Sequence, residues 1–361
     1  MRESLVVFLL IAWLRSSVVA APGVPDPPPH DPDGAARASR LPEQPPAESP
    51  WIDLAPPKVL ALRAAPDASD RPRDHKLAAT LTLGGLYAGF TTWTYFAWYR
   101  KGCRPEPKPC KDFLWGRDGA FGADTYAGGA DKLGHAWATL ALGRLGTEML
   151  HQWGGYERRA STIVGMALSE ALFLGVEIRD GFSYQFSYWD FVFNTLGAAL
   201  GFAQSTWPRV DELVDFRVQY FPSSGYQDRF RDGDIDVAED YSGQTYLLAL
   251  HLGALPRLRD ARWASWARYV DVAVGFETRG YKPEVAIDPE DPPAIPPQRQ
   301  TLFLGVTLNA QGVFDRLLDR RAPRARKVMH GLFEVFNLPG TTLPVLDGTR
   351  RPGGPVAMDG A

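Results

Sequence analysis

Cysteine is scarce in this chain: 361 residues hold two, Cys103 and Cys110. With no second pair, a CxxC-type structural zinc site and a disulfide-dense scaffold are both excluded. In an oxidising compartment these two are expected to pair and close a Pro-stiffened loop, worth roughly 2.5 kcal/mol by chain entropy. Cationic excess is also absent. Lys and Arg total 39 against 42 Asp and Glu, a formal net charge of −3, which leaves no footprint for nucleic acid as a partner. GxSxG, P-loop and HExxH patterns are missing, so the common hydrolase and nucleotide motifs supply no function. An EF-hand starting at Asp232 fails as well, because its sixth position is Val237 and its twelfth is Gly243.

What is present begins with an export signal. Arg2 precedes the apolar run Leu5 to Leu14, and Val18-Val19-Ala20 supplies small residues for cleavage, so residues 1–20 read as a signal peptide. The apolar run is too short to span a bilayer. No cysteine stands near the cleavage point, so a lipoprotein anchor is not expected there. Residues 21–75 are rich in Pro, Ala and Asp and read as a disordered linker.

Residues 76–207 read as an apolar bundle of about four helices. Leu77 to Tyr99 carries no charge and ends in Trp93, Tyr95, Trp98 and Tyr99. As a helix it would reach about 34 Å, enough to cross a hydrocarbon layer, with Arg100 and Lys101 as interfacial anchors. A buried helix of a soluble bundle is the alternative. A full crossing would put the cysteines on the reducing side, which favours a bundle seated on or in an envelope membrane and facing the periplasm. Asp131 to Trp153, Arg159 to Ile178 and Tyr188 to Trp207 are the other expected helices.

Residues 208–340 change character. Thr245 to Leu252, Tyr269 to Tyr281 and Gln300 to Ala310 read as strands. Val270, Val272, Val274 and Phe276 alternate with small or polar neighbours, as do Leu302, Leu304, Val306 and Leu308. The expectation is an antiparallel sheet covered on one face by helices, a final helix from Arg324 to Phe336, and a polar tail over 341–361. Three strands fall short of a self-contained membrane barrel. The predicted fold class is α+β.

Three polar clusters lie in the apolar helices. GGADKLGH holds Asp131, Lys132 and His135; EALFLGVEIRDGF holds Glu170, Glu177 and Asp180; FSYWDFVFNTLGAALG holds Asp190, Asn194, Gly197 and Gly201. Asp131 and His135 are four apart and share a helical face, as do Glu177 and Glu170, seven apart. Two readings stand side by side. As a site, His135, Glu177, Asp180 and Asp190 are the catalytic candidates, and the same four with Asp131 are the metal-ligand candidates. As structure, Asp131 is placed as an N-cap, Asp190 as the partner of Ser187 in a capping box, Glu170 and Asn194 as a polar core, and Gly197 and Gly201 as small-residue packing. No cofactor is indicated.

With these residues in view, the chain resembles the YfiM-like family of predicted periplasmic lipoproteins through GGADKLGHAW, VEIRDGF and FSYWDFVFNTLGAALG, over roughly Phe121 to Phe202. More distantly, the DK-x-x-H and D-x-x-x-N-x-x-G arrangement looks like the VanZ-like membrane proteins. The resemblance implies an envelope location and carries no established activity; the missing lipid-attachment cysteine departs from its pattern. The function expected is that of an exported, membrane-associated, non-enzymatic component of a bacterial cell envelope, with the envelope membrane as partner. The alternative is a metal-dependent or acid/base enzyme acting on an envelope lipid or glycan.

Overall fold

Small residues on facing helices let the backbones of this protein come close, and that spacing sets its architecture. The computed structural model describes residues 75–99, 112–116, 119–122, 125–231, 233, 235–281, 298–318 and 322–350. The expected signal peptide, almost all of the linker, both cysteines, and Asp232 and Asp234 lie outside the described residues.

Among the described residues, four helices come first. Helix α1, Lys76–Thr94, runs on into a π-helical turn, Tyr95–Tyr99. Helix α2, Ala130–Glu148, ends in a second π turn, Met149–Trp153. Helix α3 is Arg158–Ser183, capped by the Glu157 carboxylate accepting from the Arg159 and Ala160 amides. Helix α4 is Tyr188–Thr206, with the Ser187 hydroxyl accepting from the Asp190 amide. Helix α2 packs against both α3 and α4. A Cβ on Gly197 would sit 2.1 Å from the Ala136 carbonyl oxygen, and one on Gly143 would sit 2.4 Å from the Met166 sulfur. Neither contact is possible with a side chain present. Among the described residues, α3 rather than α1 is the helix long and apolar enough to cross a membrane; it also packs against both α2 and α4.

A short helix α5, Pro208–Leu213, leads into strand β1, Val214–Tyr220. There follow helix α6, Ser224–Arg231, and strands β2, Gln244–His251, β3, Val270–Arg279, and β4, Arg299–Leu308. Helices α7, Ala310–Leu318, and α8, Pro323–Val335, come next, then β5, Phe336–Asn337, and β6, Thr342–Arg350. The sheet order is β5-β1-β2-β3-β4-β6; all neighbours are antiparallel except β1 and β5. The protein is therefore α+β, with a mixed and mostly antiparallel six-stranded sheet. Strand β6 occupies part of the segment read as tail. It is an edge strand holding a Pro and a Gly, and its register with β4 slips between Leu304 and Gly305, so no clean alternation announces it.

The aliphatic residues that alternate along β3 and β4 do not form the buried face, which instead joins the Leu247–Ala249–Ala273–Phe303 core to polar groups. On β4 the buried side chains are Thr301, Phe303 and Thr307, whereas Leu302, Leu304 and Val306 are exposed, Leu302 by 56 %. On β3 Asp271 is buried and Val274 exposed. The inner face is closed by side chains: Arg217 of β1 donates to Gln311 of α7, and Thr342 of β6 donates to Gln219 of β1. Asn337 of β5 reaches Thr307 of β4. Contacts between strands so far apart in the sheet order require it to curl around its polar face. The outer face meets the bundle at one end, where Phe216, Val218 and Tyr246 pack on Ala130, Ala136 and Leu140. Leu248, Val274, Leu302, Leu304 and Val306 beyond this contact remain bare. Bundle and sheet lie within one compact unit, Leu62–Ala361.

Candidate ionic centre in the helical bundle

The GGADK motif enters α2 through three successive left-handed residues, Ala127, Gly128 and Gly129, with φ of 51°, 62° and 85°. Glycine takes this conformation freely, while Ala127 bears a steric cost of about 1–2 kcal/mol. Gln300 of β4 donates to the Gly128 carbonyl at 2.7 Å and holds the turn against the sheet. Because Gly129 is the residue before the helix, Asp131 falls in the first turn and is not the N-cap that its position suggested.

Lys132 is the hub that this turn sets in place. It is 0 % exposed, and its Nζ lies 2.9 Å from Asp131 Oδ2, 2.9 Å from Asp190 Oδ1 and 3.3 Å from Ser187 Oγ. One turn along α2, His135 Nδ1 lies 3.1 Å from Asn194 Oδ1 and 3.4 Å from Glu177 Oε1. Thr139 donates to the same Asn194 oxygen at 3.0 Å, and Ser169 donates to the Thr139 carbonyl. Helices α2, α3 and α4 thus each contribute to a single buried polar centre.

Ser187 and Asp190 do not form a reciprocal capping box. The Ser187 hydroxyl does cap α4, but the Ser187 backbone amide is bonded to Glu177, and the Asp190 carboxylate turns to Lys132. Capping therefore leaves the carboxylate of Asp190 unexplained. Glu170 sits apart, accepting from Thr195 near the surface. Asp180 borders the centre through its bond with Tyr99, a partner from the π turn of α1. Spacing alone could not find that tyrosine, since nothing in an aromatic helix end marks which ring turns inward.

Carboxylates outnumber cations here, and their acidity responds. Burial drives the Glu177 carboxyl up to about 9, with Asp190 and then Asp180 adding to the shift. Burial likewise raises Asp131 to about 7, Asp190 adding and Lys132 opposing. Asp180 also rises to about 7 through burial, its hydrogen bond with Tyr99 opposing. A carboxyl such as Glu177, which keeps its proton at neutral pH, can donate it.

A second ionic network, missed in the sequence, occupies the inner face of the sheet. Arg217, 0 % exposed, donates to Asp215 at 2.6 Å and to Asp271 at 2.9 Å. His251 bridges the same two carboxylates at 3.0 and 2.9 Å, and Asn309 donates to Asp271. Burial works against a charge on His251, but Asp215 and then Asp271 outweigh it and lift the imidazole to about 9. The available signal was Asp215-x-Arg217 on one face of a strand, legible only once β1 is recognised.

The architecture defines a class: an α+β protein whose helical bundle holds one buried ionic centre and whose curled sheet holds another. Within it, residues 117–206 match a family model described as a predicted periplasmic lipoprotein (DUF2279). The match spans α2, α3 and α4 with the turn before them, and so the whole His135–Glu177–Asp190 region, but less than half of the chain. No curated protein and no solved structure shows significant similarity to the chain.

Proposed function

We propose that this protein is an exported, membrane-associated and non-enzymatic component of a bacterial cell envelope, seated on the bilayer by the outer face of its sheet. The observation that carries this reading is the exposed apolar outer face of β2, β3 and β4, while the inner face holds both the Leu247–Ala249–Ala273–Phe303 core and the ionic groups. Leu248, Val274, Leu302, Leu304 and Val306 face outward while Asp215, Arg217, His251 and Asp271 are enclosed. Contiguous exposed apolar surface marks an interaction site. Leu343 and Leu346 of β6 extend the same surface, and a 370 Å³ apolar groove lined by Phe121, Leu133, Leu248 and Leu302 runs where the sheet meets the bundle. Each half-exposed Leu or Val that enters hydrocarbon contributes about 1 kcal/mol, so the row together supplies several. Similarity to a family described as periplasmic lipoproteins supports the same location.

Flotation of the purified protein with phosphatidylethanolamine–phosphatidylglycerol vesicles tests the proposal. The protein is expected to float with lipid, and the double variant Leu302→Glu/Leu304→Glu to stay behind with an unchanged circular dichroism spectrum. Failure of the native protein to float, or equal flotation of the variant, overturns it. A second reading, metal-dependent or acid/base chemistry on an envelope lipid or glycan, is favoured by the grouping of His135, Glu177 and Asp190.

A further inference from the structure

We infer that His135, Glu177 and Asp190 form a binding site for one divalent transition-metal cation of the zinc or manganese class. This inference does not depend on the membrane reading. The three residues come from α2, α3 and α4, and one donor atom from each lies within 4.8 Å of the other two. Ligands held at about 2.0–2.2 Å from one ion are at most ~4.4 Å apart. Small side-chain rotations therefore close the site without backbone movement.

The state of the donors points to a ligand. Glu177 is 1 % exposed, yet its Oε1 has no hydrogen-bond partner. A buried polar atom left unpaired costs about 1–3 kcal/mol. Asp190 Oδ1 lies at ion-pair distance from Lys132 but off the hydrogen-bonding directions. Lys132 is engaged by Asp131, and the His135 imidazole lies 3.4 Å from Glu177 Oε1. A dication there would give Glu177 Oε1 and Asp190 Oδ1, both without a hydrogen-bond partner, a shared ligand.

The donor set selects the metal. One imidazole nitrogen with two carboxylate oxygens suits zinc, manganese, iron or cobalt, whereas magnesium and calcium favour all-oxygen sites. The surroundings resemble the outer partners of a metal site: the Ser187 amide holds Glu177, Lys132 holds Asp190, and Asn194 holds His135. With three protein donors, the remaining positions would fall to water.

The test uses the full purified chain, freed of any affinity tag, titrated with Co²⁺, Zn²⁺, Mn²⁺ and Mg²⁺. Expected are one Zn²⁺ or Co²⁺ per chain by metal analysis after dialysis, a visible Co²⁺ band displaced by Zn²⁺, and no displacement by equimolar Mg²⁺. His135→Gln and Asp190→Asn should each weaken binding at least ~10-fold while Glu170→Gln, outside the centre, leaves it unchanged. Absence of Co²⁺ binding by the folded native chain overturns the inference whatever the variants do. Binding retained in both folded variants overturns it equally, by placing the ion elsewhere.

Discussion

Lys132 shows how much depends on one buried charge. Its ammonium is enclosed between Asp131 and Asp190, so Lys132→Met leaves two carboxylates without their cation. Breaking a buried pair from one side costs about 3–5 kcal/mol. Urea denaturation of K132M should show a loss of that size, and the double variant K132M/D190N should recover part of it. His251 gives a pH signature in the other centre. Its pKa is raised from 6.5 to about 9 on folding, so its stabilising contribution is complete below pH 6.5 and disappears as pH rises through 9. Relative to His251→Gln, the native chain should lose on the order of 3 kcal/mol of its advantage across that window, read by thermal melts at fixed ionic strength. At this scale the sequence told a good deal. Helical spacing nominated Asp131, His135, Glu177, Asp190 and Asn194, which one centre brings together. What spacing could not tell was the direction in which each carboxylate turns. Asp190 looked like a capping partner because it follows Ser187 by three, and only the course of α3 shows the Ser187 amide already taken by Glu177. Glu170 shares the face of Glu177 by period, yet lies two turns further from the centre and bonds Thr195.

Elements were legible where one period ran unbroken. The four helices and strands β2, β3 and β4 announce themselves by apolar periodicity, whereas β1, β5 and β6 are short, edge-like or interrupted. Alternation gives a strand two faces but does not say which is inside. The usual assumption, apolar inward, fails on β4 because Arg217, Asp215 and Asp271 must be enclosed together and take the inner face with them. Helix contacts were more readable, since glycines at i and i+4 imply close approach. Gly197→Ala should force α2 and α4 apart at the Ala136 carbonyl and cost about 1–3 kcal/mol, measurable as a fall in melting temperature. Gly175, which has open space around its α-carbon, should accept Ala without loss on the same helix bundle.

At the scale of the whole molecule, the sheet is closed by its last strands. Gln219 of β1 meets Asn337 of β5 across 118 positions of sequence, and Thr342 of β6 completes the polar ladder with Gln219 and Thr307. A ribosome releases these partners in a fixed order. The bundle can condense early, since α2, α3 and α4 follow one another closely, but β1 must wait through β2, β3, β4 and helices α6, α7 and α8 for its parallel neighbour. Until then its amide edge and the enclosed arginine stand open to water. Non-local pairing of this kind slows folding and lengthens the life of unpaired edges. The nascent chain therefore carries its most vulnerable surface until β5 and β6 have emerged, and whatever shields an incomplete sheet during synthesis must act on this part of the protein.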